Sequence, residues 1–281
     1  MITGRIIADG VDLKSTYGAY VVEGGYVDIP CFPEIKQPEI NDWYEYNGIE
    51  VDLTSLRVRS QEVRLNLKMH GSSDEVLSLL NFLLSKRTRE FSFVDVDRTR
   101  TMRVDSASAR HYSLGLFDVD IILCDDSPAN GIEYGERSQH YYMTGLELDE
   151  VDLSSYGIML TGSIDGLYPT TTIKDNLLSD TATIDGDIHY DGDMAVTVDK
   201  DDISVRCVMK AKTISAFWTK RDCLLLDLIK DGQRTLSFNG NTSRVYYKDC
   251  RSIMFSYYNS VWWEFELIFG YIGGAEDDGD L

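Results

Sequence analysis

The sequence predicts a mainly β, α+β protein made of two tandem modules, each with one helix and one long arm. Short sequence motifs, called words below, recur in the same order in both halves. The Val-Asp-Leu at 11–13 returns at 151–153, and the strand-like pattern of 117–123 returns at 263–269. Alternating apolar and polar residues, typical of strands, cover most of each half. A chain of 281 residues has room for two units of ~140 residues, so we interpret the repeats as an internal duplication.

The repeated words set the predicted domain boundaries. The first module is placed at residues 1–128, followed by a polar, glycine-containing linker at 129–143. The second module is placed at 144–272. Residues 273–281 are acidic and rich in glycine, so we expect a disordered tail there.

In the first half, strands are predicted at 5–13 and 17–22, and an irregular segment follows at 24–48. Alternation then predicts a strand at 63–69. Next comes the clearest helix of the chain, because Ser72 or Ser73 can serve as N-cap and the apolar face runs through 76–84. Further strands are predicted at 90–94, 101–105 and 116–123.

The second half is predicted to repeat this order. Strands at 146–153 and 156–160 precede a second irregular segment at 162–193. A helix capped by Ser215 is expected to continue to Ile229, with an apolar face that includes Phe217 and Trp218. The remaining predicted strands are 195–198, 203–210, 234–238, 244–247, 253–257 and 261–269.

The segments 24–48 and 162–193 are too long for ordinary connections, and the first is too apolar for a free linker. We interpret both as arms that pack on a neighbouring subunit. The candidate interaction residues are Ile29, Phe32, Ile35, Ile40, Trp43, Tyr44, Leu167, Tyr168 and Ile173.

Net charge excludes several functional classes. The chain carries 47 acidic and 27 basic residues, a formal charge of −20. Tight binding to nucleic acid requires clustered basic side chains, so direct DNA binding is not expected, and an anionic membrane surface is disfavoured for the same reason.

Five cysteines without a Cys-x-x-Cys spacing indicate neither a disulfide framework nor a zinc site.

No motif in the sequence predicts catalysis. The four histidines are scattered without a second ligand type at metal spacing, and nucleotide-binding or nucleophile motifs are missing. We therefore expect no enzyme, no metal and no cofactor. The Asp-rich stretch at 185–202 fits hairpin turns, which Asp-Gly pairs favour, and leaves a calcium site as the alternative.

Two alternative functions remain open. The carboxylate pairs Asp118/Asp120 and Glu264/Glu266 each share one strand face, as the acids of a glycoside hydrolase would, but a solvated or channel-facing sheet surface explains them without any chemistry. The aromatic residues Trp43, Tyr44, Trp262 and Trp263 could bind carbohydrate in a tail-tip or surface module, or they could pack in the core and at interfaces.

The first half resembles the ring-forming domain of phage distal tail proteins, which is similar to the tail-tube module. The resemblance lies in the Val-Asp-Leu at 11–13 before Tyr17-Gly18, the long arm, the strand at 63–69, the helix at 76–84, the Glu-Phe-Ser-Phe at 90–93, and the closing strand that ends in Asp-Asp-Ser-Pro at 125–128. The second half follows the same order but lacks the closing Asp-Ser-Pro.

The resemblance implies two tandem tail-tube-like modules of the β-sandwich or barrel kind. It implies a structural component of a phage or prophage tail, either a distal tail protein or a hub or tube component. Such modules form a hexameric ring, or a trimeric pseudo-hexameric one, around a channel through which DNA passes without tight binding. The implied partners are further copies of the chain and other tail or baseplate proteins, and the implied location is the virion tail, assembled in the bacterial cytoplasm.

Overall fold

The computed structural model describes residues 4–43, 47–113, 115–137, 142–161, 171–174 and 198–274. Within these ranges the chain is mainly β, with three α-helices, which confirms the predicted α+β class. The strands form two seven-stranded sheets and two small two-stranded sheets. In these same ranges, no helix is long and apolar enough to cross a membrane.

The first half begins with a short hairpin and a single helical turn. In chain order it contains β1 (Ile6–Ala8), β2 (Val11–Asp12), α1 (Leu13–Tyr17), β3 (Ala19–Val21), β4 (Ile40–Asn41), β5 (Glu50–Val51), β6 (Gln61–His70), α2 (Ser73–Leu84), β7 (Thr88–Phe93), β8 (Arg98–Ser113) and β9 (Leu116–Asp125). The first large sheet has the spatial order β2-β1-β7-β8-β9-β6-β3. Gly4 and Val21 exchange backbone hydrogen bonds of 2.9 and 3.0 Å, so the start of the chain pairs with β3 and closes this sheet on itself.

The second half repeats this arrangement. It contains β10 (Leu146–Leu148), β11 (Val151–Asp152), β12 (Ile158–Leu160), β13 (Thr171–Ile173), β14 (Val198–Lys200), β15 (Ile203–Ala211), α3 (Ile214–Leu228), β16 (Arg234–Phe238), β17 (Asn241–Ser256) and β18 (Val261–Gly274). The second large sheet has the order β11-β10-β16-β17-β18-β15-β12, which is the order of the first sheet position by position.

The repeated Val-Asp-Leu…Tyr-Gly word has a local structural cause. Asp12 caps α1 by accepting a hydrogen bond of 2.9 Å from the Lys14 amide, and Asp152 caps the equivalent 3-10 turn through the Ser154 amide at 2.8 Å. Both turns end in a left-handed glycine, Gly18 at φ 70° and Gly157 at φ 74°. Each word therefore starts and ends one helical turn that carries the chain from one edge of its sheet to the other.

Several sequence-based boundaries were wrong. The predicted strand at 5–13 is interrupted by a turn at Asp9 and Gly10, which both have positive φ, and its last residue lies in α1 because Asp12 caps a helix. The N-cap of α3 is Thr213 rather than Ser215, since the Thr213 hydroxyl accepts from the Ala216 amide at 3.2 Å. The strands expected at 244–247 and 253–257 belong to one strand, β17. Its pairing with β18 shifts register in the polar stretch between them, and the strand continues through it.

Candidate assembly interface

The arm at 24–48 crosses from the first sheet to the second. Ile29, Phe32 and Ile35 are buried. The Phe32 ring lies edge-on to Trp263 of β18, with ring centroids 5.1 Å apart, and 6.1 Å from the ring of Phe265. Phe32 therefore packs against the aromatic face of the second half of its own chain, and the Ile35 amide donates to the Lys248 carbonyl at 3.0 Å.

The backbone of the arm is held by donors from the second half. The guanidinium of Arg221, fully buried in α3, donates to the carbonyl oxygen of Pro30 at 3.0 Å and to that of Cys31 at 2.7 Å. The Tyr247 hydroxyl donates to the Pro33 carbonyl at 3.0 Å. Because buried carbonyl groups need hydrogen-bond donors, these contacts tie the arm to the second half.

A second contact joins the two halves at residues 93–98. The Trp218 indole N–H donates to the Val96 carbonyl at 2.6 Å. The Arg98 guanidinium forms two hydrogen bonds to the Asp222 carboxylate, at 3.0 and 3.3 Å, and lies 4.6 Å from the centroid of the Trp218 ring. A forked arginine–carboxylate pair is directional as well as attractive, so it fixes the orientation of α3 on the first half.

The predicted linker at 129–143 contacts α3 through Tyr134 and Arg137. The carboxylate of Asp227 is buried and accepts hydrogen bonds from Tyr156 at 2.6 Å, Arg137 at 2.8 Å and Lys230 at 2.5 Å, and from the Tyr134 hydroxyl. Burial alone would raise the pKa of Asp227, but the hydrogen bonds from its partners outweigh burial and hold that pKa below its usual range.

The two arms contact each other at Lys174, directly after β13. The buried Lys174 ammonium donates to the Asp42 carboxylate at 2.5 Å and to the carbonyl oxygens of Trp43 at 3.1 Å and Gly48 at 2.5 Å. Close to this contact, Ile40 is 37%, Trp43 52% and Ile173 68% exposed. Tyr44, Leu167 and Tyr168 lie outside the described residues. Among the described residues of the arms, these three exposed apolar side chains lie in the segments that contain Lys174 and its partner Asp42.

The carboxylate pairs considered for glycoside hydrolysis are engaged across their sheets. Asp118 pairs with Lys68, and Asp120 accepts from the Asn66 amide at 2.6 Å. In the second sheet Glu264 and Glu266 pair with arginines of the neighbouring strands, at 3.3 and 3.9 Å. Pairs of this kind stabilise the solvated face of an antiparallel sheet.

The tryptophans considered for carbohydrate binding differ in environment. Trp263 is fully buried in the core and stacks on Phe265 with ring centroids 3.8 Å apart, so it cannot contact a sugar in this structure. Trp262 lies on the other face of β18, where the Lys210 ammonium sits 4.5 Å from its ring centroid. Core packing thus accounts for Trp263, and a cation–π contact covers Trp262.

A polar cleft of about 520 Å³ lies where the two halves meet. Arg98 and Arg100 from β8 line it, together with the carboxylates of Asp97, Asp125 and Asp222. Burial lowers the pKa of Arg100 to about 10, and its guanidinium donates to Asp125 at 2.9 Å. In the described part of the chain, no group of three or more histidine, cysteine or acidic side chains is placed to hold a metal ion. Two arginines thus face four carboxylates, since Glu133 also lines the cleft, and Asp222 of α3 joins lining residues from the first half and the predicted linker.

Sequence reasoning missed Arg98, Arg221 and Asp222, which hold the two halves together. The available signal was the Arg-Asp pair at 221–222, which interrupts the apolar face of α3 between Trp218 and Leu225. A charged pair at that place indicates a helix face that is covered by polar backbone rather than by solvent.

No protein-family model matches the chain, and no curated protein does. Among solved structures it is similar to the crystal structure of the SPP1 Dit protein, described as a paradigm of the hub adsorption apparatus in phages that infect Gram-positive bacteria. The TM-score is 0.36 and the sequence identity 12%, over 96% of this chain and 99% of that chain.

Proposed function

We propose that this protein is a structural component of a phage or prophage tail, a distal tail protein or a hub or tube component, that forms a ring around a DNA-conducting channel. The observation that carries the proposal is the pair of seven-stranded sheets with one strand order, fixed to each other by the contacts of Arg98, Arg221 and Phe32. Each chain thus supplies two copies of one unit in a fixed relation, and the order of elements in the first copy resembles the ring-forming domain of distal tail proteins.

Within the chain, α3 of the second half contacts the turn at 93–98 of the first half. The two halves thus use different surfaces for this contact, which makes it heterologous. Repetition of such a contact produces a closed ring when the rotation closes and an open filament when it does not. Three chains would supply six modules to a pseudo-hexameric ring, and six chains would form a hexameric ring with twelve.

The formal charge of −20 suits a conduit that does not retain its cargo, because like charges repel the DNA backbone. The arm surface around Lys174, with exposed Ile40, Trp43 and Ile173, is the proposed contact with other tail or baseplate proteins. The protein would be assembled in the bacterial cytoplasm and reside in the virion tail.

The proposal is tested by measuring the mass of the purified protein by light scattering after size exclusion, over a hundredfold range of concentration. A discrete oligomer of three or six chains is expected. The Trp43→Ser, Ile173→Ser variant should form the same oligomer, since these side chains are assigned to neighbours in the tail. A protein that stays monomeric at every concentration, or that grows without limit, contradicts the ring.

A further inference from the structure

The helices α2 and α3 occupy equivalent places in the two halves. Each follows the strand next to one end of its sheet, β6 or β15, and each begins at a hydroxyl N-cap, Ser72 or Thr213. Counted from these caps, Leu77, Leu80, Asn81 and Leu84 of α2 correspond to Trp218, Arg221, Asp222 and Leu225 of α3. The first and last positions are three or four residues from the adjacent pair in the middle, so the four form one stripe along each helix.

The stripe on α3 is buried by the other half of the chain. Its Trp218, Arg221 and Asp222 side chains contact Val96, Pro30 and Arg98 of the first half. The residues that cover it therefore come from the turn at 93–98 and from the arm.

The stripe on α2 is apolar and uncovered. Leu77 is 56% and Leu84 53% exposed, Leu80 is half-buried, and Asn81 is exposed. Leu77 and Leu84 lie two turns apart on one helix face with Leu80 between them, and together they form an apolar patch of the kind that marks an interaction site. The internal duplication identifies what belongs there, because the same stripe in α3 is already occupied by a first-half turn.

We propose that the stripe formed by Leu77, Leu80, Asn81 and Leu84 docks on the second half of another copy of this chain, at the turn of residues 238–241. That turn joins β16 to β17 and corresponds to the turn at 93–98, which joins β7 to β8. Asn239 and Gly240 at its tip are exposed. The inference rests on the proposed ring, and it names the surface through which one chain joins the next.

The two contacts differ in chemistry although they correspond in position. Within the chain, α3 offers a buried arginine and an aspartate paired with Arg98. Between chains, α2 offers three leucines and one asparagine. Since apolar association is little affected by salt whereas ion pairs between exposed charges are screened, the contact between chains is expected to persist at 1 M salt.

The test uses the full chain with Leu77→Glu and Leu84→Glu together. Charges in the stripe should raise the concentration at which the oligomer forms at least tenfold. The matched control is Ser78→Glu: Ser78 is exposed on α2 outside the stripe, and its α3 equivalent, Thr219, is exposed as well. The control should assemble like the wild type. Circular dichroism and thermal melting establish that each variant is folded, and Leu77→Ser with Leu84→Ser serves if the glutamates prevent folding.

Hydrogen exchange provides a second, independent measurement on the wild type. Exchange at residues 238–241 should be slower in the oligomer than in dilute, dissociated protein. A folded double variant that assembles like the wild type, or unchanged exchange at 238–241, overturns this contact while leaving the ring itself intact. A wild type that never assembles overturns the ring and this contact together.

Discussion

Phe32 of the first half lies edge-on against Trp263 of the second, with ring centroids 5.1 Å apart and ring planes at 76°. Both side chains are buried, so a residue of the arm is part of the core of the other half. This contact makes the two sheets one folding unit rather than two modules on a flexible linker.

Phe32→Ala should therefore destabilise the whole chain. Removing a buried phenylalanine costs about 3–5 kcal/mol through lost burial and the cavity left behind. Urea unfolding monitored by tryptophan fluorescence measures the change. Trp43→Ala, on the exposed part of the same arm, should change the unfolding free energy by about 0.5 kcal/mol or less. Equal effects of the two substitutions would contradict the assigned contacts.

Arg98 and Asp222 should be energetically coupled across the interface. A double-mutant cycle with Arg98→Met and Asp222→Asn, read from urea unfolding, should give an interaction energy of about 0.5–3 kcal/mol. The exposed pair of Arg59 and Glu34, 3.5 Å apart, serves as control, and its coupling should stay below about 1 kcal/mol. No coupling between Arg98 and Asp222 would mean that α3 is not held by this pair.

Asp227 should make the stability of the chain depend on acid. Burial raises the pKa of Asp227, but the hydrogen bonds from Lys230, Tyr134 and Tyr156 lower it by more. The folded-state pKa therefore lies below the unfolded value of about 3.9. The stabilisation is present above the unfolded pKa and is lost as pH falls through the folded pKa.

Thermal melting at a series of pH values measures this effect. Asp227→Asn should melt at a lower temperature than the wild type at pH 6, and the difference should shrink below about pH 3. Tyr156→Phe, which removes one donor to Asp227, should give a smaller difference of the same sign. A constant difference across the pH range would contradict the role given to Asp227.

The glycines of the repeated word should respond alike to substitution. A Cβ on Gly18 would lie 2.7 Å from the carbonyl oxygen of His70, and one on Gly157 2.9 Å from that of Lys210. Gly18→Ala and Gly157→Ala should each lower stability by more than the ~1–2 kcal/mol of a left-handed alanine alone. Gly24→Ala is the control, because Gly24 also has positive φ but no atom within 4 Å of the added Cβ. Equal losses at all three positions would show that the close contacts do not matter.

Local features were predictable from the sequence. The Val-Asp-Leu…Tyr-Gly word indicated a duplicated element because the cap of Asp12 and the turn of Gly18 depend only on neighbours in the chain. The N-cap at Ser72, one of the two serines considered, and the apolar face after it indicated α2 for the same reason, and the structure adds a capping box with Glu75. Strand order was not predictable, since it is decided by pairing between distant residues.

The assembly residues were only half predictable. The apolar content of 24–48 indicated that the arm packs on something, but nothing local says that Phe32 finds Trp263 of its own chain. Helical periodicity placed Leu77 on the apolar face of α2, whereas the structure exposes it. Only comparison with the buried Trp218 in the equivalent position shows that its exposure has a structural meaning.

The most direct test of the central claim is electron microscopy of the purified oligomer. Class averages should show a closed ring with a central channel and six-fold or pseudo-six-fold symmetry, formed by repeated units of one size. Open filaments, or compact particles without a channel, would contradict the account.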